Sequence, residues 1–279
     1  MPRDESHLLA LCADWCVADA PQRQGLVQVE GAEAVRWLLR SSCAVQVIVG
    51  KASTLTSLRP DIDGVEPSHI VTRSRQEMAG LLGFPFDRGV VAVASRPAFG
   101  TWAQGCQAIA QRQVRRLVIC DSVHDATNLG VILRSARCLG MDGVLVGDGC
   151  ADPWSRRCIR VGVGHPLCMP LWHHPDIAAG VRALRECGVE VIAAHRGPVS
   201  QPLAGLSGLQ TPWAVVVGNE DRGPQPQVVA ACSQQRHIPM HHDTDSLNVA
   251  TATTVFLHHL RHCETLVAPS PGLPHSCPP

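Results

Sequence analysis

Read from the amino end, the apolar positions gather into short runs separated by polar or helix-patterned stretches. Residues 1–25 are polar with brief apolar patches and read as a lead-in helix or a loose arm. At Leu26 the pattern changes. Leu26-Val27-Gln28-Val29 predicts a strand, residues 32–40 a helix, and Val45-Gln46-Val47-Ile48-Val49 a buried strand. A further strand over 90–94 stops at the breaker pair Arg96-Pro97, which closes a first domain over 26–97. Residues 98–114 read as a connecting helix or linker. Beyond them, apolar runs at 117–120, 144–146, 189–193 and 213–217 alternate with helical patterns at 127–139, 176–187 and 247–262. That alternation predicts an α/β domain over 115–265, a mainly parallel sheet with helices on its faces. The proline-rich stretch 266–279 lacks the apolar positions for a core and is expected to be a disordered tail.

Composition narrows the class. At 279 residues, 45% hydrophobic and 17% charged, the chain suits a globular protein with two modest cores. No apolar run reaches the roughly 18 residues that span a bilayer. Met1-Pro2-Arg3-Asp4-Glu5 carries acids where a secretory signal is basic and then apolar. A cytoplasmic location without a membrane partner is expected. The 13 cysteines are odd in number and include no Cys-x-x-Cys pair, so they read as reduced thiols. Cys12 and Cys16 stand at i, i+4, a spacing that fits a packed helix face better than zinc. The formal net charge is zero, so any nucleic-acid site must be local. Lys51 is the only lysine. The skew to arginine fits either bidentate phosphate contacts or a biased genome composition.

Three stretches carry candidate chemistry. Asp125-Ala126-Thr127-Asn128-Leu129-Gly130 follows the strand ending at Cys120, the strand end at which open α/β sheets bind ligands. Thr127 or Asn128 is placed to cap the following helix, and Arg134 lies about two turns in, on the face of Gly130 and Val131. Trp213-Ala214-Val215-Val216-Val217-Gly218-Asn219-Glu220 is an apolar strand running into a carboxylate, with Gly218 allowing close backbone approach to a ligand. Ile238-Pro239-Met240-His241-His242-Asp243-Thr244-Asp245-Ser246-Leu247-Asn248-Val249-Ala250 leads a loop into an amphipathic helix, with Asp245 or Ser246 as the expected cap. Capping accounts for each polar residue singly but not for all three stretches together.

In order and spacing these stretches resemble the signature motifs of the SpoU or TrmH group of SPOUT RNA methyltransferases: Asn-x-Gly-x-x-x-Arg, Gly-x-Glu-x-x-Gly, and Ile-Pro-Met with Ser-Leu-Asn-Val-Ala. Residues 26–97 more loosely resemble the family's ribosomal-protein-L30e-like substrate-binding domain, at Val29-Glu30-Gly31, Ala34-Val35 and Gly83-Phe84-Pro85 with Arg88-Gly89-Val90. The resemblance implies a SPOUT-type α/β catalytic domain ending in a trefoil knot, an exception to the rule against knotted chains. It implies S-adenosylmethionine as methyl donor, held by Gly218, Ile238, Met240 and Leu247, and no metal. It implies a homodimer that methylates a ribose 2′-hydroxyl, in ribosomal RNA rather than transfer RNA because of the amino-terminal domain. Arg134 corresponds to the family's phosphate-contacting arginine, with Asn128, Glu220, Ser246 and Asn248 completing the catalytic set. A transfer RNA enzyme is the alternative substrate reading, and a catalytically silent RNA-binding paralogue the alternative class. His241-His242-Asp243 stand where the family usually has a small residue or glycine, adding bulk and charge beside the expected cofactor pocket.

Other motifs in the chain are weaker. Gly162-Val163-Gly164 lacks the third glycine of a dinucleotide loop, since residue 167 is leucine. His258, His259, His262 and Cys263 lack the glutamate of a zincin helix and read as a polar face. Arg156, Arg157 and Arg160, near Trp154, fit either RNA contact or an ordinary solvated face.

Overall fold

A computed structural model of the chain describes residues 5–13, 25–210, 212–242 and 246–264. Cys16, residues 243–245 and the tail 266–279 lie outside the described residues, as do residues 1–4 and 14–24 of the expected arm.

Helix α1 (Glu5–Ala10) precedes a four-stranded sheet built from β1 (Leu26–Glu30), β2 (Val45–Gly50), β3 (Ile70–Thr72) and β4 (Val90–Ser95), in the order β1-β4-β2-β3. β4 runs antiparallel to both neighbours, and β2 pairs with β3 in parallel. Between the strands lie α2 (Ala32–Leu39), α3 (Ala52–Ile62) and α4 (Arg75–Leu82). The apolar runs predicted β1, α2, β2 and β4. They did not reveal α3, β3 or α4: β3 has three residues, and α3 carries Pro60 in a largely polar sequence. α4 is set by its ends rather than its face. Ser74 and Glu77 form a reciprocal capping box, and Gly83 closes the helix at φ 76°.

The second half forms a seven-stranded sheet in which every pairing is parallel, ordered β7-β6-β5-β10-β8-β11-β9. Its strands are β5 (Arg116–Cys120), β6 (Gly143–Gly147), β7 (Leu171–His174), β8 (Glu190–Ala194), β9 (Gln201–Pro202), β10 (Trp213–Val217) and β11 (Gln234–His237). Its helices are α5 (Trp102–Ala110), α6 (Ala126–Cys138), α7 (Arg156–Val161), α8 (Ile177–Glu186), α9 (Pro226–Ala231) and α10 (Val249–Cys263). The region expected to be a connecting helix or linker is α5, opened by a Thr101–Gln104 capping box. β11, Gln-Gln-Arg-His, is half-buried throughout and carries no apolar signal.

Two expected caps are corrected. Asp125, not Thr127 or Asn128, caps α6 by accepting from the backbone N–H groups of Thr127 and Asn128. Asn248, not the expected Asp245 or Ser246, caps α10, accepting from Ala250 and Thr251 at 2.9 and 3.3 Å. In each case the carboxylate or amide sits one residue outside the helix, where its oxygen meets the free N–H groups of the first turn.

Strand alternation sorts the cores. Val118, Cys120, Trp213, Val215 and Val217 face a core shared with α6, α10 and the inner face of the four-stranded sheet. Leu117, Ile119, Ala214 and Val216 face a second core under α5, α8 and α9. With both faces covered, β10 is buried at all five positions, which is why it reads as an unbroken apolar run. The outer face of the four-stranded sheet is covered by Leu8, Met78 and Leu82.

The two sheets meet along a tight seam. Glu30, with its side chain 2% exposed, pairs with Arg156 and lies 3.8 Å from Arg88. Arg96 makes a bidentate pair with Asp152 at 2.7 and 2.8 Å. Gly164, at φ 80°, lies so close to α2 that a Cβ would sit 2.8 Å from the Ala34 carbonyl oxygen and 2.9 Å from Trp37 Cβ. The glycine of the apparent dinucleotide loop thus serves close packing.

Candidate active site

The carboxyl ends of β5, β8, β10 and β11 open on one side of the sheet, beside the point where β10 inserts between β5 and β8. Asp121 follows β5 directly and is 1% exposed. Its two oxygens accept from Gln225, from the backbone N–H at 2.7 Å and from Nε2 at 2.8 Å, and this ties down the loop after β10. Within that loop Asn219 Oδ1 accepts from the backbone of Asp221 and Arg222, and the Gly223 N–H donates to the Asn219 carbonyl at 2.9 Å. Gly218 permits the turn: a Cβ there would lie 2.1 Å from the nitrogen of Pro224.

A hydrogen-bond chain joins the three candidate stretches. Asn248 Nδ2 donates to Asn128 Oδ1 at 2.9 Å, and Asn128 Nδ2 donates to Glu220 Oε1 at 2.9 Å. Asn248 meanwhile uses its oxygen to cap α10, so its amide is oriented before it reaches Asn128. Asp125 is held below its ordinary carboxyl value, first by its side-chain hydrogen bond with Thr127, then by backbone donors.

Beside this chain lies a cavity of about 320 Å³ lined by Gly218, Glu220, Ile238, Met240, Ser246 and Leu247, with Val249 and Phe256 forming an apolar wall. Every residue expected to hold a cofactor therefore borders one cavity, together with Glu220 and Ser246. Across the loop of residues 219–224 a larger cavity of about 980 Å³ is lined by Ser122, His124, His195 and Arg222. Arg134 stands apart from the amide chain. It lies on α6 six residues beyond Asn128, exposed, with no hydrogen bond or ion pair among the described residues. The sequence reading missed Asp121, His195 and Arg196; the first closes an apolar run and the others follow β8, so strand ends were the available signal. His242 takes φ 57°, a left-handed backbone state that glycine adopts most readily.

The remaining candidates have other places. Arg156 is bound to Glu30 and stacked 4.3 Å from the Phe84 ring, so it is part of the seam rather than a solvated face. Arg157 donates to Thr127 Oγ1 at 2.7 Å. His258 and His262 share an exposed stripe with ring centroids 4.3 Å apart, and Cys263 Sγ contacts His259 Nε2 at 3.1 Å.

The model of the SpoU rRNA methylase family matches residues 115–258, which hold all of these loops. An uncharacterized tRNA/rRNA methyltransferase of Mycobacterium tuberculosis is 33% identical over 239 residues, covering 85% of this chain and 81% of the relative. The chain belongs to the SpoU rRNA methylase family. Within the family, a 23S rRNA guanosine 2′-O-methyltransferase of Bacillus subtilis is 30% identical over 149 residues, 53% of this chain and 58% of that protein. The fold is that of solved SpoU-type enzymes. An AdoMet-bound rRNA methyltransferase of Sinorhizobium meliloti superposes with TM-score 0.74 at 20% identity over 92% of this chain and 93% of its own. The SpoU methyltransferase AviRb of Streptomyces viridochromogenes, in complex with AdoMet, gives 0.71 at 21% over 93% and 98%. Among the described residues of this SpoU-family chain, no helix is long and apolar enough to cross a membrane.

Proposed function

We propose that this SpoU-family protein transfers the methyl group of S-adenosylmethionine to a ribose 2′-hydroxyl of ribosomal RNA. The observation that carries the reading is the amide chain from Asn248 through Asn128 to Glu220 at the mouth of the cavity bordered by Gly218, Ile238, Met240 and Leu247. The names of the Bacillus relative and of the AdoMet-bound neighbours support the same chemistry.

The cavity suits the donor's adenosyl group. Its apolar wall offers a surface for a planar base, and Gly218 lets the Gly223-Pro224 backbone fold tightly against the strand end that borders the cavity. When bound, the donor supplies an electrophilic sulfonium methyl. The protein's part is positioning and electrostatics. Arg134, without an acidic partner among the described residues, contacts the target phosphate and stabilises charge developing on the ribose oxygen. A guanidinium holds its proton too tightly to act as a base, which favours this role over direct proton removal. Asn128 and Glu220 hold the loops in register, while Ser246 and Asn248 hold the nucleotide and the start of α10. The larger cavity across the loop receives the target nucleotide.

The reading extends to architecture. We take 26–97 as an L30e-like RNA-binding domain, 98–114 as its linker and 115–265 as a SPOUT domain whose carboxyl end is a trefoil knot. Two copies form a homodimer, in which Arg134 of one subunit reaches the cavity of the other. The location is the cytoplasm. Nucleoside mass spectrometry of ribosomal RNA from cells with and without the gene tests the reading. Loss of one 2′-O-methylated nucleoside is expected; unchanged ribosomal RNA with a missing transfer RNA methylation would overturn the substrate. Arg134→Ala is expected to abolish turnover while leaving donor binding by calorimetry intact.

A further inference from the structure

Away from the active site, a cavity of about 660 Å³ opens on the seam between the two sheets. Its wall includes Arg40 at the end of α2 and Arg137 near the end of α6, with Met141, Trp154, Leu171 and Trp172 supplying apolar surface. Both guanidinium groups lie over the ring of Trp37, with their carbons 5.1 and 5.5 Å from its centroid. Among the described residues neither arginine pairs with a carboxylate. Arg137 donates only to the Cys168 carbonyl, at 3.1 Å. The acid in the wall, Asp142, is already committed: its Oδ2 accepts from the backbone of Arg115 and Arg116 at 2.8 and 2.9 Å.

Two buried polar nitrogens at this seam also lack partners among the described residues. Nε1 of Trp154, a residue 4% exposed that lines the cavity, is one; Nδ1 of His165, 8% exposed and adjacent to the lining residue Pro166, is the other. Buried donors and acceptors are nearly always satisfied in folded proteins, so Nε1 of Trp154, in the cavity wall, is a donor open to a ligand there. The His165 ring packs against Trp37 at 4.4 Å. Burial, then Arg137 and Arg134, push its pKa down, so positive charge there is already in excess. Two guanidinium forks without carboxylate partners among the described residues, beside an aromatic and aliphatic wall, match a phosphate joined to a planar base.

We propose that this seam cavity holds one nucleotide of the RNA substrate remote from the methylation centre, its phosphate on Arg40 and Arg137 and its base against Trp154, Met141 and Leu171. The proposal rests on the reading of the protein as an RNA enzyme. Helix α6 links the two places: it carries Asn128 in its first turn and Arg137 nine residues later, about 14 Å along the axis at 1.5 Å per residue. A few nucleotides of extended strand span that distance. The seam site would thereby fix which nucleotide reaches the active site, and the rigid packing at Gly164 and Glu30 would keep the spacing constant.

Arg40 is exposed, so Arg40→Gln leaves the fold intact; Arg137→Gln is the second variant. Binding of a short fluorescein-labelled single-stranded RNA is measured by anisotropy over a range of salt, beside methyl transfer from tritiated S-adenosylmethionine to total RNA of cells lacking the gene. Each substitution is expected to weaken RNA binding about tenfold and to lower the slope of log K against log salt by about 0.7, the value for one phosphate on a single strand. The KM for RNA should rise, with kcat and donor affinity unchanged. Wild-type salt slope and KM in Arg40→Gln would overturn the site while leaving the methyltransferase reading standing. An RNA affinity that depends on both arginines, in a protein that transfers no methyl group, would support the site and sink the reading. Displacement of the RNA by an equal concentration of guanosine monophosphate would overturn the assignment to RNA in favour of a free nucleotide.

Discussion

The amide chain makes a sharp electrostatic prediction. Asn128→Asp replaces the amide that donates to Glu220 with an oxygen, so two carboxylates face each other across a contact that is 2.9 Å in the parent. Unit charges at that distance repel by about 6 kcal/mol at an effective dielectric of about 20 and about 1.4 kcal/mol in bulk water. Both positions are half-buried, so a cost of about 3 kcal/mol at neutral pH is reasonable. One proton shared between the two oxygens removes the repulsion and restores the hydrogen bond. The folded variant therefore holds that proton to a higher pH than isolated carboxyls, which lose theirs near pH 4. Between those limits the folded state binds more protons than the unfolded one, so the variant's stability falls as pH rises. Melting temperature recorded from about pH 4.5 to pH 8 should show parent and variant close at the acid end. At the alkaline end they should differ by roughly 6 to 12 °C, using 2 to 4 °C per kcal/mol for a chain of this order of size. A difference in melting temperature that is the same at every pH would refute the facing-carboxylate geometry, and methyl transfer by the variant should track the same curve.

Three other tests address different parts of the molecule. Gly218→Ala places a methyl group 2.1 Å from the nitrogen of Pro224, so the loop must shift; a stability loss of about 1 to 3 kcal/mol and at least a tenfold loss of S-adenosylmethionine affinity by calorimetry are expected, and unaltered affinity would contradict the proposed cradle. Glu30→Gln leaves Arg156 at the seam without its carboxylate and should cost about 3 to 5 kcal/mol in urea unfolding, whereas a loss below about 1 kcal/mol would show the pair to be solvated. Burial pushes the thiols of Cys12 and Cys232 up to about 12, so brief iodoacetamide treatment at pH 8 should spare them and the buried Cys120 and Cys158 while labelling exposed Cys187, and peptide mass spectrometry showing equal labelling of Cys120 would contradict the packing.

Much of this protein is legible without coordinates. The strands β1, β2, β4, β5, β6, β8 and β10 are apolar runs because each is covered on both faces or nearly so, and burial on both faces writes itself into sequence as continuous hydrophobicity. The polar loops that follow β5, β10 and β11 were equally readable, since ligand-facing strand ends break the apolar run with glycine, amide and carboxylate. What one dimension could not carry was any property decided by a neighbour distant along the chain. β11 is a strand of polar residues because β8 and β9 supply its hydrogen bonds, and α4 is a helix by virtue of its caps rather than its periodicity. Arg156 reads as a surface cation until Glu30, 126 residues earlier, is found against it. Gly164 has no legible role in sequence until α2 is found against it. Local propensity and burial act residue by residue and leave a trace in sequence; pairing, charge compensation and close approach belong to two residues at once, and only the folded chain brings both to one place.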